Sequence, residues 1–367
     1  MSTVARMQQK VRAGADTAQA LLAWYDKERR DLPWRYGPGL QADPYHVWLS
    51  EIMLQQTTVK VVIPYFQNFL KRWPGVLELA AASEDSVLEA WAGLGYYSRA
   101  RNLHACAVVI ANEFNGQFPF QEAELRKLPG IGPYTAAAIA AIAFGERATP
   151  IDGNIERVIS RLFAVETPLP KSKPRLKELA CGLTPSRRAG DFAQAMMDLG
   201  ATVCTPKRPS CLICPLHKRC AAHALGIAGS LPAKQPKPER PVRYGTAFVA
   251  LSEAGQVLVR RRPETGLLAR MLEVPSTEWL DCPPSAGEAL RVAPVQCDWW
   301  HVPGTVVHTF THFRLEVDVY RAIVPDDTAL TFWADAGRCQ WVPRRDLRQK
   351  ALPSAMRKII THGLTEL

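Results

Sequence analysis

Four cysteines near the middle of the chain restrict its possible folds more than any other feature. They lie in CTPKRPSCLICPLHKRC with the spacing C-x6-C-x2-C-x5-C: Cys204, Cys211, Cys214 and Cys220. Four thiolates so close in sequence can converge on one centre, because closing a short loop costs little conformational entropy. Structural zinc sites usually have two short C-x2-4-C pairs, and only one is present here. The unequal spacing, with Pro215 after the third cysteine, favours an iron–sulfur cluster over zinc.

The other cysteines and the N-terminal segment indicate a reducing compartment. Five isolated cysteines are interpreted as core or surface thiols: Cys106, Cys181, Cys282, Cys297 and Cys339. Residues 1–19 lack the continuous apolar stretch of a secretory signal, and no run of about 18 apolar residues predicts a membrane span. We therefore expect a cytoplasmic protein of bacterial type, with reduced thiols and no membrane partner.

The chain of 367 residues is long enough for two ordinary domains, and its apolar pattern changes near residue 230. Over 1–228, apolar positions recur at intervals of three and four, which predicts an all-α module. Residues 229–243 are rich in proline and basic side chains, which is typical of an extended linker. Over 244–367 the apolar residues alternate in twos before a closing amphipathic helix, which predicts a smaller α+β domain.

The charge and one glycine-containing turn indicate a polyanionic partner. The formal net charge is +10, which fits nucleic acid or a membrane surface. In LPGIGPYTAAAIAAIAF (128–144), Gly130 and Gly132 permit a tight turn before a helix that begins at Pro133. N–H groups at such a helix N-terminus can bind a DNA phosphate. An ordinary joint between two helices would show the same pattern.

Two carboxyl groups have sequence contexts that admit a catalytic role. Glu51 lies in WLSEIMLQQT (48–57) among apolar residues. A helical Glu is usually solvated, but one buried in an apolar pocket keeps its proton near neutral pH. Asp152 lies in PIDGNIERV (150–158), where Asp-Gly-Asn predicts a turn that caps a helix. Each residue alone could therefore be structural or could take part in acid–base chemistry.

Together these segments resemble the adenine DNA glycosylases of the MutY kind, in the helix-hairpin-helix, iron–sulfur glycosylase superfamily. The matching segments occur in the family's order over roughly residues 20–365: LPWR, DPYHVWLSEIMLQQTTV, WAGLGYYSRARNL, LPGIGPYTA, IDGNIERV and the cysteine segment. The resemblance implies a base-excision-repair enzyme that flips adenine out of an A:8-oxoguanine or A:G mispair in double-stranded DNA and hydrolyses its N-glycosidic bond. It also implies a nucleoid-associated monomer with a [4Fe-4S] cluster. No protein partner is indicated.

The resemblance divides the helical module and assigns roles within it. A helix-hairpin-helix part covers about 45–150, and a cluster-bearing part combines the N-terminal segment with 151–228. Glu51 matches the family's general acid, and Asp152 matches the carboxylate that stabilises the oxocarbenium-like sugar. Tyr134 and Asn154 match residues that hold the sugar and Asp152. Superfamily members that also cut the strand have a lysine at the position of Tyr134, so a monofunctional glycosylase is expected.

Other matches concern contacts with DNA. Trp34 and Arg35 match groups near the flipped adenine, although RYGPGLQADPY (35–45) is longer than the usual form. Gln56 and Tyr96 match residues that probe the stack around the opposing purine. Trp34 and Tyr96 could instead be core aromatics. The complete predicted set on the DNA side of the helical module is Trp34, Arg35, Gln56, Thr57, Tyr96, Gly130 and Gly132.

The C-terminal domain resembles the Nudix-like domain that reads 8-oxoguanine. Residues 260–279 fit its body, but only Glu273 and Glu278 follow where a Nudix hydrolase needs a glutamate-rich, metal-binding helix. We therefore expect this domain to bind without hydrolysing. Phe310, Thr311 and His312 lie where the family often has Phe-Ser-His, and the Thr311 hydroxyl could bond the oxidised base. A plain turn between strands is the alternative.

Two other functions share part of this pattern. An endonuclease-III-like lyase acting on oxidised pyrimidines would share the hairpin, Asp152 and the cysteines. It would need a lysine at position 134, and it leaves Glu51 and residues 244–367 without a role. A non-catalytic iron–sulfur protein that binds DNA would leave both Glu51 and Asp152 unexplained.

Overall fold

The computed structural model describes most of the chain. The described residues are 3–235, 239–331, 336–348, 350 and 352–365, and the side chains described begin at residue 15 and exclude residue 336. None of the helices in these ranges is both long enough and apolar enough to cross a membrane.

The molecule contains two compact units. The first comprises Met1–Ala82 and Asn102–Pro236, and the second comprises Ser83–Arg101 and Lys237–Leu367. Within the second unit, Arg101 Nη1 donates to the Ala269 carbonyl at 2.9 Å, so the short helical segment before Asn102 belongs with the C-terminal residues. The predicted boundaries at 228 and 244 remain a prediction. Residues 236–238 of the predicted linker lie outside the described residues.

Helices account for the first unit, as the apolar periodicity predicts. In chain order, helices α1 to α12 are Thr3–Glu28, Pro44–Leu54, Val59–Arg72, Val76–Ala81, Glu84–Ala90, Ser98–Glu113, Glu122–Leu125, Pro133–Phe144, Gly153–Leu162, Lys173–Leu183, Ala189–Thr202 and Ala221–Ala224. Of these, α5 lies in the second unit and α6 begins there. Short 3₁₀ turns at Cys211–Ile213 and His217–Arg219 shape the cysteine segment.

Local sequence signals explain where the helices that matter for function begin. Asp43 is the N-cap of α2 and accepts from the Tyr45 N–H at 2.8 Å, with Pro44 in the first turn. Gly132 precedes α8, which Pro133 begins. Helix α11 packs against α1, α8 and α9, and α2 packs against α8. This arrangement places one end of α2, α8 and α9 around a common space.

A mixed sheet forms the core of the second unit. Its strands β1 to β6 are Val242–Ser252, Gln256–Arg261, Leu272–Glu273, Trp300–Thr309, Arg314–Val324 and Cys339–Pro343, and its helices α13 and α14 are Ala286–Leu290 and Ser354–Gly363. The strand order is β3-β2-β1-β5-β4, with β6 also paired to β2. Strands β1 and β5 are parallel, whereas β4 and β5 form an antiparallel hairpin. The predicted α+β class is confirmed, and α14 covers the apolar face of the sheet with Met356 and Ile359.

Candidate active site and cysteine cavity

One cleft in the first unit gathers most of the predicted site residues. It has a volume of about 900 Å³ and is bounded by α2 and the loop after it, the start of α8 and α9, and α11. The predicted residues among its lining are Trp34, Arg35, Glu51, Gln56, Thr57, Tyr134, Asp152 and Asn154. Residues that are more than 100 positions apart in sequence therefore meet at a single opening.

Glu51 is buried near the C-terminal end of α2, with only 7% of its surface exposed. Burial raises the pKa of its carboxyl from 4.5 to about 7, because an apolar environment disfavours the charged form. Hydrogen bonding with Tyr134 and the positive charge of Arg35 lower this pKa, while the charge of Asp152 raises it. Glu51 can therefore either donate or accept a proton near neutral pH.

Asp152 is the N-cap of α9, and its carboxylate is held from two sides. Its Oδ1 accepts from the Ile155 N–H at 2.8 Å, and its Oδ2 accepts from Asn154 Nδ2 at 2.7 Å. Burial raises the pKa of Asp152, and these hydrogen bonds counteract the rise by favouring the charged form. The predicted cap and the predicted partner Asn154 thus fix the direction of this carboxylate.

Asn154 is itself held by a second layer of contacts. Arg157 Nη2 donates to Asn154 Oδ1 at 2.9 Å and to the Gly200 carbonyl at 2.7 Å. Gly200 allows α9 and α11 to approach closely here, because a Cβ at this position would lie 2.6 Å from the Asn154 Cβ. The position of Asp152 consequently depends on helix packing as well as on its own cap.

Aromatic side chains border both carboxyl groups. Tyr134 lies in the first turn of α8, and its hydroxyl is 3.8 Å from Met197 Sδ. Burial raises the pKa of Tyr134 well above 10, so the phenol stays protonated at neutral pH. Trp34 is 5% exposed and packs edge-on against Phe66, with ring centroids 5.3 Å apart. Trp34 therefore packs in the core and also lines the cleft, and its contact with the flipped adenine stays a prediction.

Arg35 is fixed by a carboxylate that the sequence interpretation missed. Asp198 in α11 is fully buried and pairs with Arg30 Nε at 2.7 Å and with Arg35 Nη2 at 3.1 Å. Arg35 Nη1 also donates to the Tyr25 hydroxyl at 3.1 Å. The available signal was an acidic residue inside the apolar stretch AMMDLG, which is the same kind of signal that identified Glu51.

Gln56 and Tyr96 share an uncommon backbone conformation. Their φ angles are +57° and +49°, in the left-handed region that costs a residue with a Cβ roughly 1–2 kcal/mol. Gln56 lines the cleft, whereas Tyr96 lies in the second unit and is 50% exposed, with the Arg99 guanidinium carbon 5.7 Å from its ring centroid. Strained, exposed side chains are frequent at binding surfaces.

The hairpin glycines lie outside the lining of the cleft but shape the start of α8. Gly130 has φ +73°, and a Cβ there would lie 2.7 Å from the Asn102 Cβ. Gly132 is exposed, and α8, which lies wholly within the described residues, has no side-chain N-cap. The N–H groups of its first turn are therefore available to an anion such as a phosphate.

The four predicted cysteine ligands converge on one cavity. Cys204, Cys211, Cys214 and Cys220 all line it, all are partly buried, and none is in a disulfide. In the part of the chain that the structure describes, no three His, Cys, Asp or Glu side chains are arranged to share a single metal ion. A cubane cluster places each thiolate on its own iron, so the ligands stand farther apart than around one ion. Four cysteine thiols are a donor set that both iron–sulfur clusters and structural zinc sites use.

Arg161 organises the backbone beside this cavity. It is 1% exposed and lies on the cavity wall. Its guanidinium donates to the carbonyls of Thr205 at 2.8 Å, Pro206 at 2.9 Å and Leu231 at 2.9 Å. It also contacts Cys204 Sγ at 3.2 Å. The sequence interpretation did not identify this residue, because an arginine in an amphipathic helix gives no separate signal.

In the second unit, the predicted base-reading residues form the tip of a hairpin. Thr311 and His312 are exposed between β4 and β5, and Phe310 is half-buried. Glu273 is 1% exposed and pairs with Arg260 and Arg262, while Glu278 is exposed. Both oxygens of Glu273 are thus engaged by arginines.

The helical unit thus brings the buried carboxyl group of Glu51 and the partly buried carboxyl group of Asp152 into one cleft. Residues 49–181 match the family described as "HhH-GPD superfamily base excision DNA repair protein", and residues 246–362 match the "NUDIX domain". The chain is 36% identical to the human adenine DNA glycosylase, over 93% of this chain and 72% of the relative. It is 32% identical to the adenine DNA glycosylase of Buchnera aphidicola subsp. Schizaphis graminum, over 94% and 97%.

A solved structure agrees with the helical part. A thermostable thymine-DNA glycosylase superposes with a TM-score of 0.53 and 30% sequence identity, and the match covers 60% of this chain and 99% of that one. The chain belongs to the adenine DNA glycosylase family.

Proposed function

We propose that the protein excises adenine opposite 8-oxoguanine, or less efficiently opposite guanine, in double-stranded DNA, acting as a monomer. The observation that carries this proposal is the pair of carboxyl groups in one cleft. Glu51 has a pKa of about 7, and Asp152 is held as a hydrogen-bond acceptor by Asn154 and Ile155. Two carboxyl groups with divided roles are the usual solution to cleaving a glycosidic bond.

The first step of the proposed reaction follows from the different roles of Glu51 and Asp152. A flipped adenine enters the cleft, and protonated Glu51 donates its proton to N7 of the base. The N-glycosidic bond then breaks, its electron pair passes to N9, and adenine leaves. The sugar becomes an oxocarbenium ion whose positive charge is stabilised by the Asp152 carboxylate.

The second step restores the enzyme. Glu51, now a carboxylate, accepts a proton from a water molecule while the water oxygen bonds to C1′. The product is an abasic site, and Glu51 is again protonated. Arg30 and Arg35, fixed by Asp198, supply positive charge at the same opening, where an anionic DNA strand would approach.

The cleft favours hydrolysis over strand cutting. Tyr134 offers a phenol at the position where a lyase has an amine, and a phenol cannot form a Schiff base. Lys173 is a lysine in the lining, and its ammonium is paired with Glu156 at 2.8 Å. A paired ammonium is a poor nucleophile, so cleavage of the strand is not expected.

We further propose that the four cysteines hold a [4Fe-4S] cluster whose role is to fold the DNA-binding loop. The thiolates would bind one iron each, and Arg161 would keep the neighbouring carbonyls in place. Four exposed basic residues flank the cysteines and would face phosphate: Lys207, Arg208, Lys218 and Arg219. Purified protein should be yellow-brown and contain about four irons per chain. Stoichiometric zinc without visible absorbance would contradict this assignment.

The chemistry is tested with a duplex that carries one adenine opposite 8-oxoguanine. We expect an abasic product that breaks only after treatment with alkali, and no product from Glu51→Gln. Breakage without alkali, together with activity on a duplex containing an oxidised pyrimidine, would favour the lyase. Tight binding without any base release would favour a non-catalytic DNA-binding protein.

The reading of the opposing base is assigned to Phe310, Thr311 and His312. The Thr311 hydroxyl and the His312 ring are exposed at the hairpin tip, where they can meet a base. A hydrogen bond of this kind contributes about 1–3 kcal/mol of discrimination. Thr311→Val combined with His312→Ala should therefore reduce the preference for 8-oxoguanine over guanine about tenfold in duplex binding, with single-turnover excision opposite guanine little changed. Unaltered discrimination would move the role to Gln56 and Tyr96.

A further inference from the structure

The hairpin tip is a short turn between β4 and β5, and the residues at its two ends orient it. The Phe310 N–H donates to the Phe313 carbonyl at 2.9 Å, which closes the turn around Thr311 and His312. Thr311 and His312 therefore lie in a turn between Phe310 and Phe313, whose ring centroids are 4.9 Å apart. Whatever holds Phe310 and Phe313 also decides where the tip residues point.

Trp279 contacts both phenylalanines, and the His308 ring also lies edge-on to Phe310 with centroids 4.6 Å apart. The Trp279 ring stacks on Phe310 with a centroid distance of 5.7 Å and an interplanar angle of 30°, and it lies 6.0 Å from Phe313. The rings of Trp279, Phe310 and Phe313 are partly buried against the core of the sheet. Offset stacking of this kind is directional, so the orientation of the indole limits the orientation of Phe310.

Strand β1 fixes the backbone on both sides of Trp279. Leu280 and Tyr244 exchange two backbone hydrogen bonds, of 2.9 and 2.8 Å, and the Thr277 N–H donates to the Thr246 carbonyl at 2.9 Å. Between these pairs lies Gly245, where a Cβ would come within 2.9 Å of the Trp279 ring atom Cδ1. The indole therefore occupies space that only a glycine leaves free.

An ion network around the buried Glu273 adds a second constraint on the indole. The Arg262 guanidinium carbon lies 5.1 Å from the centroid of a Trp279 ring, a cation–π distance. Arg262 is itself held, because its Nε donates to the Leu267 carbonyl at 3.0 Å and its Nη1 donates to Glu273. Glu273 also binds Arg260, with Nη2 to Oε1 at 2.8 Å.

We propose that Trp279, backed by Arg262 and by the space at Gly245, is the positioning residue for recognition of the opposing base. It does not touch the base; it holds Phe310 so that Thr311 and His312 meet it in one orientation. This inference rests on the proposed base-reading role of the hairpin tip. It adds that residues of the segment 260–279, which lacks the glutamate-rich helix of a Nudix hydrolase, support that tip.

The test compares full-length variants for duplex binding and for single-turnover excision. Dissociation constants are measured with an uncleavable adenine analogue placed opposite 8-oxoguanine or guanine. Trp279→Leu should lower the preference for 8-oxoguanine about 3- to 10-fold, since it removes the directional stack. Trp279→Phe should restore most of the preference, because a ring remains under Phe310. The excision rate opposite guanine should stay within about twofold of the parent rate.

Two further variants separate positioning from general damage to the domain. Gly245→Ala removes no aromatic side chain, but its Cβ forces the Trp279 indole to move. It should therefore reproduce the loss of preference seen with Trp279→Leu. Trp300→Leu is the matched control: Trp300 is 70% exposed at the opposite end of β4 from the tip, and its removal should leave the preference unchanged. An equal loss with Trp300→Leu would overturn the proposal.

Combining variants distinguishes failure of this inference from failure of the base-reading proposal. If Trp279 acts through the tip, Trp279→Leu added to Thr311→Val and His312→Ala should cause little further loss. If the tip variant alone leaves discrimination intact, the base-reading role itself is wrong. If the tip variant loses discrimination while Trp279→Leu and Gly245→Ala both keep it, the positioning role is wrong.

Discussion

Glu51 in the first unit and Glu273 in the second are both buried, but different groups compensate their carboxyl charges. Glu51 is 7% exposed and Glu273 is 1% exposed, so burial alone does not distinguish them. Glu273 is bound by two arginines, which compensate its charge and occupy both oxygens. In the described part of the chain, no ion pair is formed by Glu51, and its partner is the phenol of Tyr134.

The difference lies in what compensates the carboxylate charge. A buried carboxylate that is paired with arginine is locked in its charged form and contributes to structure. A buried carboxyl group without such a partner keeps its proton to higher pH, and it can give that proton to a substrate. The charge of Arg35 lowers the pKa of Glu51, and the Arg35 guanidinium is itself bound by Asp198. Burial outweighs this charge, so the pKa of Glu51 stays near 7.

The largest expected effect comes from Glu51→Gln. The amide keeps the shape but has no proton to donate, so single-turnover release of adenine should fall by at least about 1000-fold. Duplex binding should be nearly unchanged. The matched control is Glu178→Gln on the exposed face of α10, which should keep full activity. Substantial turnover by Glu51→Gln would remove this residue from the acid role.

Asp152→Asn should reduce the same rate by about 100- to 1000-fold, because it withdraws negative charge from the developing cation. Asparagine is also a good N-cap, so helix α9 should remain intact. The two effects can be separated by measuring thermal unfolding with the rate. A loss of rate with an unchanged unfolding temperature supports an electrostatic role, and a parallel loss of both indicates a structural one.

Glu273→Gln should show the reverse behaviour in the other unit. Removing one partner of a buried ion pair leaves the arginines uncompensated, which typically costs about 3–5 kcal/mol of unfolding free energy. Chemical denaturation would measure this loss, and the excision rate at a temperature where the variant is folded should be close to the parent rate. An unaltered denaturation midpoint would mean that Glu273 is not the structural counterpart of Glu51.

The sequence predicted the structural position of some residues but not of others. Asp152 as an N-cap, Pro133 as the first residue of α8 and the strands around 244–261 follow from local rules, and the structure agrees with each of them. Such rules involve neighbours within a few residues, which a sequence displays directly. The fold class was predictable for the same reason.

Contacts between residues that are far apart in sequence could not be predicted from such local rules. Arg35 and Asp198 are 163 positions apart, and nothing local to either one indicates the pair. The stacking of Trp279 on Phe310 is a long-range contact of the same kind. Gly245 leaves space for the Trp279 ring, and this need for a glycine is visible only in the folded structure. Gln56 and Tyr96 carry their left-handed backbone without any glycine or asparagine that would signal it.

The pH dependence of the unfolding free energy and of the excision rate is a smaller effect, and it tests the pKa of Glu51. Its folded pKa of about 7 lies above the ordinary 4.5, so the native state binds more protons than the unfolded state between these values. The free energy of unfolding of the parent should therefore fall relative to Glu51→Gln as pH rises from about 4.5 through 7, and below 4.5 the difference should no longer change with pH. The excision rate should drop about tenfold per pH unit above pH 7. A rate that is flat up to pH 9 would contradict the assignment.

The smallest expected effect tests the hydrogen bonding between Glu51 and Tyr134. Hydrogen bonding with Tyr134 lowers the pKa of Glu51, so Tyr134→Phe should raise that pKa and move the alkaline limb of the rate profile to higher pH. The phenol's hydrogen bond to the charged carboxylate is stronger than its hydrogen bond to the neutral acid by about 1 kcal/mol, which limits the shift to about one pH unit. The absolute rate of this variant will fall if the phenol also holds the sugar, but the position of the limb does not depend on that loss. An unshifted limb would mean that burial alone sets the acidity of Glu51, and a limb displaced to lower pH would mean that the phenol favours the protonated form.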